Sequence, residues 1–111
     1  MQNQDRRSGR ERRGIDRYPI EIDIEWEGSK GRQTGTISDI SLTGCFVLSS
    51  GDTEDGEAVK IFIPLSDGMT VQFNGKVANH VYESGFAVRF DPTSAAQREV
   101  LGQILSNAGR T

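Results

Sequence analysis

The sequence predicts an all-β fold with one helix: a six-stranded antiparallel β-barrel, a C-terminal α-helix and a flexible arginine-rich N-terminal tail. Six short segments with strand-like hydrophobic patterns, separated by turn-forming residues, occupy residues 20–90. After Asp91 the hydrophobic spacing changes to that of a helix. Six short strands leave no exposed edge if they close into a barrel, and 111 residues suffice for one core only.

The N-terminal segment differs from the rest in charge and hydrophobicity. Residues 1–13 have no apolar side chain after Met1, so we expect a flexible tail over 1–13 and a barrel domain over 14–111. Six arginines against three carboxylates give residues 1–17 a charge of +3, and the chain total of −3 leaves −6 for the remainder. Such tails are often simply solvated, but arginine suits bidentate recognition of phosphate and favours an anionic partner.

The six strands are predicted from their side-chain alternation. In the first strand, four apolar residues alternate with acidic ones, which indicates one buried and one solvated face: Ile20, Ile22, Ile24 and Trp26. The further strands are predicted at residues 32–40, 45–49, 58–65, 70–81 and 86–90. Gly75, inside the fifth strand, indicates a bulge or a close backbone approach.

The C-terminal helix is predicted from its cap and its spacing. Ser94 followed three residues later by Gln97 fits a capping box. Apolar residues then recur at helical spacing, at Val100, Leu101, Ile104, Leu105 and Ala108. Gly109 is a suitable C-terminal stop.

Catalytic and metal-binding patterns are missing from the sequence. His80 is the only histidine, and Cys45, the only cysteine, begins an apolar strand where a buried small side chain is expected. We therefore expect no enzyme activity, no metal and no cofactor. The single cysteine, the lack of a secretory h-region and the lack of a long apolar stretch predict a cytoplasmic location without membrane insertion.

Two short motifs remain as candidate binding residues. In "RGIDR", Arg13 and Arg17 are four residues apart and lie on one side of either a helical or an extended backbone. In "DISLTG", Asp39 and Ser41 are two apart and share a face if the backbone is extended. A carboxylate can accept hydrogen bonds from a guanine edge, and Gly44 allows positive φ or a close approach. The same residues also suit a plain turn, which is the stronger interpretation from residue types alone.

Together these motifs resemble the two-part signature of the PilZ domain family, bacterial receptors for cyclic di-GMP (c-di-GMP). The family pattern is Arg-x-x-x-Arg followed by Asp/Asn-x-Ser-x-x-Gly, and both parts stand complete and in order here. The segment "ESGFAVRF" also resembles the late strand of the family. The family fold, a six-stranded antiparallel barrel with a C-terminal helix, agrees with the fold predicted from periodicity.

The resemblance implies a role for each motif residue. Arg13 and Arg17 would bind guanine and phosphate, and Asp39 and Ser41 would hold a guanine edge and adjacent groups. Gly44 would keep the turn open for the ligand. Six residues form the expected site: Arg12, Arg13, Arg17, Asp39, Ser41 and Gly44. An arginine at the place of Arg12 is associated in the family with an intercalated ligand dimer, so two c-di-GMP molecules per chain are expected. Further candidates for ligand contact are Arg7, Arg10 and His80.

The resemblance also implies what the chain does. We expect a small adaptor whose surface changes when c-di-GMP binds and which then regulates an unidentified effector protein in motility, exopolysaccharide or biofilm-type output. The charge of −6 outside the tail opposes binding of DNA or RNA. The alternative is a scaffold of the same fold that works through protein contacts without a ligand.

Overall fold

The computed structural model describes residues 18–81 and 84–108, apart from the side chains of residues 79–81 and 108. The strands are β1 (Tyr18–Gly28), β2 (Gly31–Ile40), β3 (Gly44–Leu48), β4 (Ala58–Pro64), β5 (Thr70–Val81) and β6 (Gly85–Phe90), followed by the helix α1 (Ala95–Ala108). Within these residues, no helix combines the length and the apolar composition that crossing a membrane requires.

The six strands close into an antiparallel barrel in the order β1-β2-β3-β6-β5-β4, which confirms the predicted fold. Pairing of β1 with β4 completes the ring, with Trp26 opposite Ile61. Closure pairs every strand on both sides, so the sheet has no free edge. The predicted strand bounds hold to within two residues, and β5 spans the predicted range.

The core is formed by the inward residues of all six strands, as the alternation predicts. Trp26 is fully buried and packs edge-on against Phe86, with ring centroids 4.8 Å apart. Its indole N–H donates to the Ser49 hydroxyl at 3.1 Å, which satisfies the polar atom of this large side chain. Phe73 of β5 and Phe90 of β6 stack with ring centroids 5.0 Å apart.

The helix packs on the barrel through a narrow apolar face. Leu101 is fully buried, and Ile104 and Leu105 pack against the core. The predicted capping box is confirmed: Gln97 N–H donates to the Ser94 hydroxyl at 3.1 Å, and Ser94 N–H donates to the Gln97 side-chain oxygen at 2.8 Å.

Gly75 permits a close approach of two backbones. A side chain there would overlap the carbonyl oxygen of Arg89 on β6. The register of β5 against β6 shifts between Val77 and Asn79, so the irregularity lies beyond Gly75. Of the two predicted explanations, the close approach is therefore the correct one.

The carboxylate of Glu57 connects the turn between β1 and β2 to the loop that precedes β4. Glu57 accepts hydrogen bonds from the Ser29 N–H at 2.8 Å, the Ser29 hydroxyl at 3.0 Å and the Glu54 N–H at 3.0 Å. Desolvation acts to raise the pKa of Glu57. The hydrogen bonds from Ser29 and Glu54, together with the charge of Lys30, outweigh it and hold the pKa below its usual value.

Trp26→Ala is expected to lower the free energy of unfolding by about 3–5 kcal/mol, because it leaves a large cavity and removes the contact with Phe86. Urea denaturation followed by circular dichroism measures it. Met69→Ala is the control, since Met69 is 64% exposed and its loss should change stability by less than about 0.5 kcal/mol. Equal stability of the two variants would contradict the assignment of Trp26 to the core.

Glu57→Gln is expected to lower the free energy of unfolding at neutral pH, because it removes the charge that strengthens these hydrogen bonds. The expected loss is only about 1 kcal/mol, since solvent partly screens that charge. Folding lowers the pKa of Glu57, so its charge stabilises the folded state fully at pH values above the pKa in the unfolded chain. This stabilisation is lost as the pH falls through the lower pKa of the folded state. The difference from wild type should therefore shrink as the pH falls below the usual titration range of a glutamate carboxyl. Glu99→Gln on the exposed helix surface is the control, and a Glu57→Gln difference independent of pH would refute the assignment.

Candidate ligand-binding site

The "DISLTG" segment forms the end of β2, a tight turn and the start of β3. Ser41 N–H donates to the carbonyl oxygen of Gly44 at 2.8 Å, and the Ser41 hydroxyl accepts from the N–H groups of Thr43 and Gly44, each at 3.2 Å. Ser41 is only 1% exposed. Its hydroxyl therefore lies inside the turn and shapes it, as serine does in many turns.

Asp39 and Ser41 lie in different surroundings. Asp39 belongs to β2 and is half-buried, whereas Ser41 follows the last strand residue, Ile40. Ile40 and Ser41 are both buried, so the alternation of the strand ends there. The expectation that Asp39 and Ser41 share a face assumed an extended backbone through both residues, and that condition is not met.

A backbone irregularity directly precedes Asp39. The register of β2 against β3 shifts between Ile37 and Asp39, and the register of β1 against β2 shifts between Pro19 and Ile22. Ser38 falls inside the irregular stretch on both sides. A shift of one residue changes the direction in which the following side chains point. The orientation of Asp39 is thus set by this double irregularity.

Gly44 is required by the packing of β6. Its Cβ would overlap the carbonyl oxygen of Val88, and neither backbone has room to move aside. Its φ is not in the left-handed region: in the described residues, positive φ is confined to other glycines. Of the predicted explanations, close approach of a neighbouring backbone is the one observed. The Phe90 N–H also donates to the carbonyl oxygen of Thr43 at 2.8 Å, which joins the turn to the end of β6.

The first residues of β1 lie beside this turn. Tyr18 is opposite Ile40 and Pro19 is opposite Asp39 in the antiparallel register. Arg17 immediately precedes Tyr18 in the sequence. The start of the described chain and the "DISLTG" turn therefore occupy the same end of the barrel.

A groove of about 750 Å³ runs along the outside of the barrel next to the turn. Its lining comes from the turn itself, from Ala78 of β5, from β6 and from the residues that follow β6. Leu42, at the tip of the turn, is 57% exposed, and Arg89 of β6 is also exposed. The volume lies in the range of about 300–1,000 Å³ typical of small-molecule sites.

A larger groove, of about 870 Å³, lies on the outer surface of β1, β2, β4 and β5. Its cation is Arg32, whose guanidinium carbon lies 4.0 Å from the centre of the Phe62 ring. Arg32 is also paired with Glu25 at 3.2 Å and Glu27 at 3.7 Å. Because this cation is already neutralised, the larger groove is the poorer site for an anion.

The remaining sequence predictions fall partly outside the described residues. The five arginines predicted as ligand contacts lie there, and so does the side chain of His80; these arginines are Arg7, Arg10, Arg12, Arg13 and Arg17. Cys45 is fully buried, as expected from its apolar strand. In the described ranges, His, Cys, Asp and Glu side chains form no group of three or more suited to a metal ion.

Sequence reasoning did not identify Arg89 or Leu42 as groove residues. Arg89 interrupts the otherwise buried run of β6, and that single charged residue is the signal that could have drawn attention to it. Its place beside Gly44 follows from the pairing of β3 with β6, which are far apart in the sequence.

Gly44→Ala is expected to destabilise the protein by about 1–3 kcal/mol or more, because the added methyl group overlaps the Val88 backbone. Gly102→Ala is a matched control: it lies in the helix with nothing within 4 Å of the new Cβ, and should stabilise by about 0.5–1 kcal/mol. Thermal denaturation of both variants tests the prediction. A neutral or stabilising Gly44→Ala change would show that β6 does not require the glycine.

Solved structures show the same fold. The PilZ domain of CeSA from a cellulose synthesizing bacterium superposes with a TM-score of 0.66 at 20% identity, covering 83% of this chain and 96% of that one. The PilZ domain of Escherichia coli YcgR, solved with c-di-GMP, gives a TM-score of 0.75 at 15% identity, covering 90% and 93%. At these identities the likeness concerns the fold.

A third structure, the Bacillus subtilis inhibitor of motility MotI/DgrA, gives a TM-score of 0.62 at 17% identity. The match covers 85% of this chain and 49% of MotI/DgrA, so this chain spans about half the length of that protein. No curated protein sequence matches the chain. The family model described as PilZ domain matches residues 4–107, nearly the whole sequence. The chain thus belongs to the PilZ domain family.

Proposed function

We propose that this chain is a c-di-GMP receptor that binds the dinucleotide in the groove beside the "DISLTG" turn. The observation that carries the proposal is the register of β1 against β2, in which Tyr18 lies opposite Ile40 and Pro19 opposite Asp39. Consecutive Cα atoms are about 3.8 Å apart, so Arg17 lies within one residue of this pairing. Arg17 directly precedes Tyr18 in the sequence, so the arginine half of the family signature joins the described chain at the end of the barrel that carries the "DISLTG" turn. The bound c-di-GMP of the YcgR PilZ domain supports the same ligand class.

The arginines and Asp39 supply complementary chemistry for a guanine dinucleotide. Arg13 and Arg17 offer bidentate donors to phosphate oxygens and to guanine O6 and N7. The carboxylate of Asp39 accepts hydrogen bonds from the guanine N1–H and N2–H edge. Arg12 adds a third guanidinium plane on which a base can stack, and we propose two c-di-GMP molecules per chain.

Ser41 and Gly44 contribute to this site through the shape of the turn. The Ser41 hydroxyl bonds both N–H groups that follow Leu42, and Gly44 lets β6 press against the start of β3. A turn held in this way presents Asp39 and the groove in one fixed geometry, which lowers the entropy cost of binding a ligand.

The output is proposed as regulation of an effector protein in a motility, exopolysaccharide or biofilm-type process in the cytoplasm. The arginine-rich tail of residues 1–13 would order over the barrel domain of residues 14–111 when ligand phosphates neutralise its mutual repulsion. The effector would then bind the altered surface. Binding, without catalysis, is the activity inferred.

A ligand-independent scaffold is the second candidate. Ser41 and Gly44 are both accounted for by packing and hydrogen bonding of the turn, so two of the five signature residues do not require a ligand. Exposed apolar residues at Leu42 and Leu48 also offer protein contacts.

Isothermal titration of c-di-GMP into the wild type, Arg13→Ala and Asp39→Ala separates the two candidates. We expect saturable binding near two ligands per chain, weakened at least about tenfold in each variant by loss of a charged hydrogen bond. Asp52→Ala is the control for Asp39→Ala, because Asp52 is exposed and pairs only with Lys30 among the described residues. Binding near one ligand per chain would refute the role of Arg12 in binding a second c-di-GMP molecule. No binding by the wild type would refute the receptor and favour the ligand-independent scaffold.

A further inference from the structure

We propose that Arg89, which belongs to neither signature motif, binds a phosphate group of the ligand in the groove beside the turn. The inference rests on the proposed function, since it takes c-di-GMP as the occupant. It assigns a source of positive charge on the barrel itself, in a residue of β6.

Arg89 stands out in the charge pairing of the barrel. Among the described cations, Lys30, Arg32 and Lys76 form ion pairs with carboxylates, and Arg98 donates to the carbonyl oxygen of Thr93. Within the described residues, the side chains of Arg89 and Lys60 make no ion pair or hydrogen bond. An exposed guanidinium without a carboxylate partner is available to an anion from solution.

The position of Arg89 connects it to the turn. Arg89 lies opposite Gly44 on β3 and opposite Lys76 on β5, and it lines the groove with Thr43 and Gly44. Directly opposite residues of an antiparallel pair have Cβ positions about 4.5–5.5 Å apart, and Gly44 has no side chain to cover that space. Across the β3–β6 pair, Arg89 thus faces a residue without a side chain.

The other charged residue that lines the groove, Asp91, is already compensated. Its carboxylate is held by the Lys76 ammonium group at 3.1 Å. This pairing leaves Arg89 as the uncompensated charge among the described groove residues. The remainder of the chain after residue 17 is acidic overall, so an unpaired arginine placed here makes the local surface favourable to a phosphate.

The test is titration of c-di-GMP into the wild type, Arg89→Ala, Arg89→Lys and Lys60→Ala at several salt concentrations. Lys60→Ala is the matched control, since Lys60 is an exposed, unpaired cation on β4. We expect Arg89→Ala to weaken binding about tenfold or more and to flatten its salt dependence. Arg89→Lys should recover part of the affinity because a point charge remains. Lys60→Ala should bind like the wild type.

The outcomes separate this inference from the proposed function. If the wild type binds and Arg89→Ala binds equally well, or loses no more than Lys60→Ala does, the role of Arg89 is refuted and the receptor stands. If the wild type does not bind, both proposals fall. Thermal denaturation completes the test: Arg89→Ala should unfold at the wild-type temperature, and a large drop would mean that the affinity loss reflects the fold.

Discussion

The pairing of β1 with β2 is the constraint on which the site depends. A two-residue turn at Ser29 and Lys30 folds β1 back onto β2, and the hydrogen bonds of Glu57 tie that turn to the loop before β4. From this hairpin the ladder runs to its open end, where Tyr18 meets Ile40. Two segments that are distant in the sequence thereby arrive at one place. Any slip of this register would separate them and turn the apolar residues of β1 out of the core.

The sheet irregularities at Ser38 adjust the end of this ladder. Without them, the strict alternation of β2 would continue through Asp39 and on to Ser41. With them, Asp39 stays half-buried on the strand, and Ser41 turns inward to bond the turn. The irregular strand pairing of the barrel therefore determines where the residues of the motif lie. Its local distortion separates Asp39, which stays on the strand, from Ser41, which supports the turn.

Most of the fold could be predicted because its signals are local. The strand β1 is indicated by the alternation of Ile24 and Trp26 with acidic residues. The start of the helix is indicated by Ser94 and Gln97, which are three residues apart. The sequence could not decide between positive φ and a close approach at Gly44, because the deciding contact is made with the backbone of β6 at Val88. The shift near Ser38 and the placement of Arg89 beside the turn likewise arise from strand pairing across the barrel.

Charge distribution decides between the two grooves. The larger one holds Arg32 in a closed set of contacts with Glu25, Glu27 and the Phe62 ring, so its cation is already satisfied. The groove beside the turn is smaller, yet its Arg89 makes no ion pair or hydrogen bond with the other described residues. For an anion, the groove beside the turn therefore offers the stronger attraction.

The most direct test of this account is an NMR titration that follows the backbone amides of the isotope-labelled chain as c-di-GMP is added. We expect the largest shifts at residues 39–44 and 87–90 and at the start of β1, with little change around Arg32 and Phe62. Shifts confined to the Arg32–Phe62 groove, or no shifts at saturating ligand, would contradict the placement of the site beside the turn.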